Sequence, residues 1–529
     1  MTNSINEFQN AKCIFVIGSN TTETHPIISL QIKKAVRNNG AKLIVADPRR
    51  IDLVDLATVW MRQKSGTDVA LFNGMMHVIL KEGLADKEFI ESRTENFAEL
   101  EAVLPKYTPE YVSEITGIAV EDIIEAARTY AKAETAAIVY AMGITQHTVG
   151  VDNVRSSANL AMMTGNVGKL YTGVNPLRGQ NNVQGACDMG ALPTDYPAYQ
   201  KVANPEMKAK FEKAWGVEGL SEKPGYTVTK VMDAVLEGKV KGMYIIGENP
   251  MVSDPNTAHV EHVLKSLDFL LVQDIFMTPT AELADIVLPA ATFAEKEGTF
   301  SNTERRVLRV REAIKPSGNS KPDWAILCEI ANRCGANWNY ASPKEIMEEI
   351  ITVTPSYGGI TYDRLDETGG LQWPCPNAEH PGTRFLHSGK FSRGLGQFKG
   401  IEWQAPAENP DAEYPLILST GRSLFHYHTG SMTRRSKAID EQFPKNRVEI
   451  NPAKAAELGI ADGDMVKVST RRGEVELNAY VTDRVPEHTI FMVFHFQEAS
   501  ANRLTNNALD PICAIPEYKV CAAKIEKIN

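Results

Sequence analysis

The sequence predicts an α/β protein in which two αβα lobes built on parallel sheets are followed by a β-barrel. Two observations predict it. One strand–turn–helix–strand unit occurs twice, and the pattern changes to short strands with charged turns near the C-terminus. A strand that is apolar at every position reads as buried on both faces, as in parallel sheets covered by helices.

The first copy runs Ile14-Phe15-Val16-Ile17-Gly18-Ser19-Asn20, then an amphipathic stretch, then Leu43-Ile44-Val45-Ala46-Asp47. The second runs Met243-Tyr244-Ile245-Ile246-Gly247-Glu248-Asn249-Pro250, another amphipathic stretch, then Leu270-Leu271-Val272-Gln273-Asp274. A glycine at the carboxyl end of such a strand lets the backbone approach a phosphate, and the next helix N-terminus favours its charge. The Asp ending the second strand can accept hydrogen bonds from a nucleoside. Neither copy has the full G-x-G-x-x-G pattern, so each is also readable as a plain tight connection in a Rossmann-like sheet. The repetition points to two related nucleotide-like ligands or one twofold site.

Residues 1–180 form the first lobe. His25 to Asn39 reads as a helix, with Pro26 at its start and Gly40 as its stop. Asp68 to Leu80 and Val120 to Lys132 are further amphipathic helices, and Ala136 to Tyr140 is a buried strand leading to Met142-Gly143. Residues 181–315 hold the second lobe, ending in Ala284-Asp285-Ile286-Val287-Leu288-Pro289. Residues 316–405 are a mixed connecting region with one clear helix, Trp324 to Asn332, and a Pro/Gly-rich surface excursion or connection from Pro374 to Gly400. Residues 406–529 carry strands at Tyr414–Thr420, Asp464–Thr470, Glu474–Thr482 and Thr489–Phe494, plus a short helix at Pro452–Leu458 closed by Gly459. That spacing indicates a barrel.

At 529 residues the chain is too long for one core. Lys and Arg total 56 against 66 Asp and Glu, a net charge of −10 that excludes nucleic acid as a main partner. No apolar run is long enough to cross a bilayer, and the polar start, Met1 to Phe8, has no signal-peptide core. Seven scattered cysteines with no C-x-x-C pair suit free thiols in a reducing cytoplasm and supply no iron–sulfur binding run.

The densest chemistry lies in Gly173-Val174-Asn175-Pro176-Leu177-Arg178-Gly179-Gln180-Asn181-Asn182-Val183-Gln184-Gly185-Ala186-Cys187-Asp188-Met189-Gly190. Its glycines, amides and single Arg exclude a core helix or strand. It either lies in solvent or lines a polar pocket, where amides pair with a heterocycle and Arg178 forks onto a carboxylate. His426 and His428 are two apart and share a face if extended, yet no third or fourth zinc ligand accompanies them. Asp47-Pro48-Arg49 is also readable as a turn satisfying its own backbone.

This segment, together with Met142-Gly143-Ile144-Thr145-Gln146, Gln273-Asp274-Ile275-Phe276-Met277-Thr278, Asn451-Pro452-Ala453-Lys454 and Pro516-Glu517-Tyr518-Lys519, closely resembles the formate dehydrogenase alpha subunits of the molybdopterin oxidoreductase family. Nitrate reductases of that family differ around the Arg segment, which favours formate. The resemblance spans essentially the whole chain. It implies a six-stranded double-psi-type barrel, and a molybdenum or tungsten ion held by two molybdopterin guanine dinucleotides, one in each lobe. By that resemblance Gly18, Asn20, Asp47 and Arg49, with Gly66, Thr67 and Asp68 nearby, contact one dinucleotide. Met142, Gly143, Gln146 and Gln180 contact pterin near the metal. Gly247, Asp274 and Thr278 belong to the other dinucleotide. Arg422, His426, Asn502, Tyr518 and Lys519 are the barrel's contribution, and Arg178 holds formate.

The family also carries an N-terminal 4Fe-4S domain and a cysteine or selenocysteine metal ligand followed by histidine. By the resemblance these lie upstream of Met1, so no metal ligand is expected in this chain. The expectation is a downstream part of the subunit, cut at an in-frame UGA selenocysteine codon and inactive alone. The implied setting is cytoplasmic anaerobic metabolism. The implied partners are formate, the missing iron–sulfur part, and electron-transfer subunits: an iron–sulfur protein, a hydrogenase or a flavoprotein. The alternative is a non-catalytic module that binds the pterin dinucleotide within a larger redox complex.

Overall fold

The structure is a computed structural model describing residues 1–528. The chain forms two compact units. The first joins Met1–Gly179, Val252–Ala258 and Phe385–Asn529, and the second joins Gln180–Met251 and His259–Arg384. Compactness thus groups the chain differently from the four sequence stretches, because the barrel region packs with the first lobe into one body.

In the first unit, β1 (Cys13–Ile17), β2 (Lys42–Ala46), β3 (Val59–Met61), β4 (Ala136–Tyr140) and β5 (Gly173–Pro176) form a five-stranded sheet in the order β3-β2-β1-β4-β5. All its pairings are parallel, with Ile14 beside Leu43 and Ala137. Every side chain of β1 is buried, as its unbroken apolar run requires. Helices Pro26–Asn39, Asp68–Lys81 and Val120–Ala131 form where amphipathic spacing places them, the first ending on Gly40 in left-handed conformation. One sheet face packs Ile14, Val16, Leu43 and Val45 with Ile28 and Ile32, and the other packs Phe15, Ile17 and Ile44 with Leu71, Phe72 and Tyr130.

Two expectations are corrected here. The glycine–amide segment was expected to contain no core strand or helix. Gly173–Pro176 is instead the edge strand β5, and Val183–Asp188 is a short helix. Asn175 is fully buried in β5 because its carboxamide donates to the Ile138 and Thr172 carbonyls and accepts from the Asn3 backbone N–H. The Pro/Gly-rich stretch is more than a surface excursion. Phe398 is completely buried in the first unit's core, and Gly396–Gln397 pairs in parallel with Thr94–Glu95.

The second unit contains the repeated motif as a parallel three-stranded sheet, β8-β7-β6, of β6 (Gly242–Ile246), β7 (Phe269–Asp274) and β8 (Ile286–Pro289). One face packs Ile245, Leu270 and Val272 against Met232, Val235, Val260 and Val263. The opposite face leaves Tyr244, Ile246, Phe269 and Ile286 exposed. An antiparallel sheet of Gly298–Ser301, Arg306–Val310 and Leu371–Gln372 completes the unit's strands with the pair Asp195–Tyr196 and Gln200–Lys201.

The C-terminal region of the first unit is a closed barrel of six strands: β9 (Leu416–Gly421), β10 (Arg447–Ile450), β11 (Met465–Thr470), β12 (Gly473–Val481), β13 (Thr489–Val493) and β14 (Cys521–Lys527). The closure order is β9-β13-β10-β12-β11-β14. Sequence patterning finds four of the six. It misses β10, whose four residues alternate with Arg447 and Glu449, and β14, whose Cys-Ala-Ala-Lys start lacks β-branched side chains.

Candidate functional site

An open cleft of about 950 Å³ lies at the carboxyl ends of β1, β2 and β4, where ligands of open α/β sheets bind. The first lobe contributes Gly18, Asn20, Asp47, Arg49, Asp68, Met142, Gly143, Gln146 and His147. The barrel contributes Thr420, Gly421, Arg422, Phe491, Phe494 and Lys519. Residues far apart in sequence are therefore assembled within one compact unit.

Gly18 ends β1 at φ +55°, and its N–H donates to the Ala46 carbonyl. The Gly143 N–H donates to the Gly18 carbonyl at 3.0 Å. A Cβ on Gly18 would lie 2.8 Å from Gly143 C, and one on Gly143 would lie 2.4 Å from the Gly18 carbonyl oxygen. The glycine anticipated for phosphate approach is thus required by backbone packing between two strand ends. Asn20 follows at the start of the short helix Thr21–Thr24 but does not cap it with its side chain. Both polar atoms of its carboxamide are buried and without a partner among the described residues. A buried amide in that state costs free energy unless a ligand satisfies it.

Asp47 accepts from the Arg49 N–H at 2.9 Å, the local turn its Pro-Arg context allows. Burial raises its carboxyl to about 6 against the pull of Arg49 and Lys519. Asp68, buried and accepting from Gln63 Nε2 at 3.1 Å, is pushed up to about 7 by burial and then by Asp47. The Arg49 guanidinium is bidentate on Glu449, with Nη2 to Oε1 at 2.8 Å, and stacks 3.6 Å from the Phe491 ring centre. It therefore ties the lobe to β10.

Arg422 donates through Nη1 to the Gly179 carbonyl at 3.2 Å. Lys519 Nζ donates to the Thr420 carbonyl at 2.6 Å, and burial, then Arg422, lowers its ammonium to about 7. The cleft thus concentrates cationic side chains beside raised carboxyls, a donor and acceptor set matched to a phosphate-linked nucleoside.

The remaining expected residues fall in three places. Arg178 flanks the cleft through its backbone: its carbonyl lies 2.7 Å from His25 Nε2, and its neighbour Gly179 packs on Met142 and Arg422. Gly66, at φ +84°, packs against Pro406, while Thr67 Oγ1 donates to the Lys64 carbonyl. Asn502 donates to the Val252 and Ser253 carbonyls and Tyr518 Oη donates to the Ser253 carbonyl, so both anchor the segment Val252–Ala258. His426 lies outside the cleft lining, its ring bonded to Thr433 Oγ1 and the Phe443 carbonyl. Among the described residues no group of three metal-ligating side chains occurs.

Gln180, Gly247, Asp274 and Thr278 belong to the second unit. Gly247 ends β6 at φ +64° with open space around it, unlike Gly18. Asp274 accepts from the Ile275 and Phe276 N–H groups, and Thr278 Oγ1 accepts from the Ala281 N–H.

Sequence reasoning missed His147 and Glu449. His147 is buried in the cleft wall, with Nε2 2.8 Å from the Gly143 carbonyl and Nδ1 without a partner among the described residues. Burial lowers it to about 4, so it is neutral near pH 7. Its position directly after Gln146 was the available signal.

The comparisons with known proteins agree with this geometry. The family model "Molybdopterin oxidoreductase" matches residues 1–333, and "Molydopterin dinucleotide binding domain" matches residues 416–522. The F420-dependent formate dehydrogenase subunit alpha of Methanocaldococcus jannaschii is 52% identical across all of this chain, which covers 78% of that relative. Formate dehydrogenase H of Escherichia coli is 43% identical, again across the whole chain and 74% of the relative. The solved acetylene hydratase from Pelobacter acetylenicus aligns with a TM-score of 0.78 over 99% of this chain and 79% of its own, at 24% identity, a likeness of fold. With the unsatisfied Asn20 and the Arg422–Lys519 cations already in place, these matches show that the chain belongs to the molybdopterin oxidoreductase family, among the formate dehydrogenase alpha subunits.

Proposed function

We propose that this chain is the pterin-binding catalytic polypeptide of a formate dehydrogenase, which oxidises formate to carbon dioxide and passes on two electrons. The observation that carries it is 52% identity over the full chain to a formate dehydrogenase alpha subunit. The cleft of the first unit supplies the chemical support. Asn20 has an unmet carboxamide, Asp47 and Asp68 are buried acceptors, and Arg422 and Lys519 offer positive charge to a pyrophosphate.

In this reading Asn20, Asp47, Asp68, Arg422 and Lys519 hold a guanine dinucleotide, with Arg49 braced by Glu449. Met142, Gln146 and Gln180 meet the pterin. Gly247, Asp274 and Thr278 serve the second dinucleotide. The molybdenum or tungsten bis(molybdopterin guanine dinucleotide), when bound, supplies the two-electron redox chemistry. Arg178 orients the formate carboxylate through a charge-assisted fork. The 4Fe-4S domain, the cysteine or selenocysteine ligand and the electron-accepting subunits belong to the same proposal. So does a cytoplasmic, anaerobic setting.

The test is formate-dependent dye reduction by anaerobically prepared protein carrying the family's iron–sulfur segment. Arg178→Ala is expected to lose transition-state binding on the order of 2–5 kcal/mol in kcat/KM. An unchanged rate removes Arg178 from the mechanism. Protein that retains pterin but never reduces dye with formate supports the binding-module alternative.

A further inference from the structure

The first unit holds a second cleft, of about 730 Å³, that shares Arg49, Arg422 and Phe491 with the dinucleotide cleft. Three carboxylates line it. Glu449 is clamped by Arg49 in bidentate fashion, with Arg484 3.9 Å away. Glu23 takes Arg484 Nη2 at 2.6 Å. Asp52 is exposed, where water screens its charge.

Two lining guanidiniums have no carboxylate among the described residues. Arg422 spends its hydrogen bond on the Gly179 carbonyl. Arg447 lies over the Tyr480 ring at 3.9 Å and the Phe443 ring at 5.0 Å. Beside Arg422, the Ser423 hydroxyl is buried without a partner among the described residues, while the Ser423 N–H donates to His495 Nε2 at 2.9 Å. Two residues with positive planar groups and one with an unused hydroxyl therefore line a cleft that aromatic residues also line. Of these, the Arg447 guanidinium and the Ser423 hydroxyl have no acceptor among the described residues.

We propose that this second cleft binds a small monovalent carboxylate, with Arg447 and Arg422 supplying charge and Ser423 Oγ a hydrogen bond. A monoanion suits it better than a phosphate dianion, because Arg49 and Arg484 are already spent on Glu449 and Glu23, which leaves only Arg447 and the shared Arg422 to balance charge. Since Arg422 lines both clefts, the bound anion sits one side chain from the dinucleotide site. The site itself stands on this geometry, and only the choice of formate as the natural anion rests on the formate dehydrogenase reading.

Saturation-transfer NMR on the formate proton, with the purified full chain, tests it. In an Arg178→Gln background a saturable formate site is expected to remain. Adding Arg447→Gln is expected to weaken it at least tenfold, Arg447→Lys less. Nitrate is expected to compete and phosphate to compete poorly. Ser423→Ala, expected to weaken binding severalfold, keeps the test open if Arg447 variants misfold. Formate affinity indifferent to Arg447 and Ser423 in folded protein overturns the site, and so does tighter binding of phosphate than formate. Protein that carries the iron–sulfur segment and is inactive with formate and dye, yet binds formate through Arg447, sinks the dehydrogenase reading and leaves this one. Active enzyme whose formate binding ignores Arg447 does the reverse.

Discussion

At the residue scale, the first unit's cleft combines groups whose protonation is set by burial more than by partners. Asp68 has a folded value of about 7, above the ordinary aspartate value of 3.8. Its folded carboxyl binds a proton that the unfolded chain has released. The resulting penalty is absent below the unfolded value, grows as pH rises, and is complete above about 7. Asp68→Asn is therefore expected to stabilise the cofactor-free chain at pH 8, on the order of 1–4 kcal/mol, and to change nothing at low pH where both forms are neutral. Thermal melts at the two pH values check this, and equal shifts at both contradict it. Gly18→Ala is expected to destabilise by about 1–2 kcal/mol from its left-handed backbone alone, with a further cost from the 2.8 Å approach to Gly143. A melting temperature unchanged by this substitution would show that the strand-end junction tolerates a side chain.

At the element scale, the two copies of the motif differ in how their sheets are covered. β1 of the first unit is buried on both faces, whereas β7 of the second alternates between buried Leu270 and exposed Phe269. Leu270→Ala is expected to cost about 2–5 kcal/mol and Phe269→Ala far less, measured by denaturant melts. Comparable losses would mean that the outer face is covered in solution. The copies themselves were legible because unbroken apolar strands, a closing glycine and a terminal Asp are local signals. β10 was not, because Arg447 and the ion-paired Glu449, on the strand face opposite core residues Val448 and Ile450, interrupt the apolar pattern. The edge strand β5 was hidden in the same way, since its Asn175 is buried by hydrogen bonds rather than by apolarity.

At the scale of the whole molecule, family and barrel were readable from ordered motifs, but the first unit's assembly was not. Arg49 meets its carboxylate partner 400 positions along the chain, a pairing that no local pattern encodes. Likewise Lys519 reaches Asp47's electrostatic neighbourhood only because the barrel packs on the first lobe within one unit. The division of labour follows: strand ends present acceptors and the barrel presents cations, so neither half alone completes the cleft. The most direct test is quantification of guanine nucleotide and pterin released from anaerobically purified protein, compared with Asn20→Leu and Lys519→Met variants of matched melting temperature. Both compounds are expected to co-purify with the parent chain and to fall together in each variant, whereas full retention in both variants would contradict the assignment of this cleft to the dinucleotide.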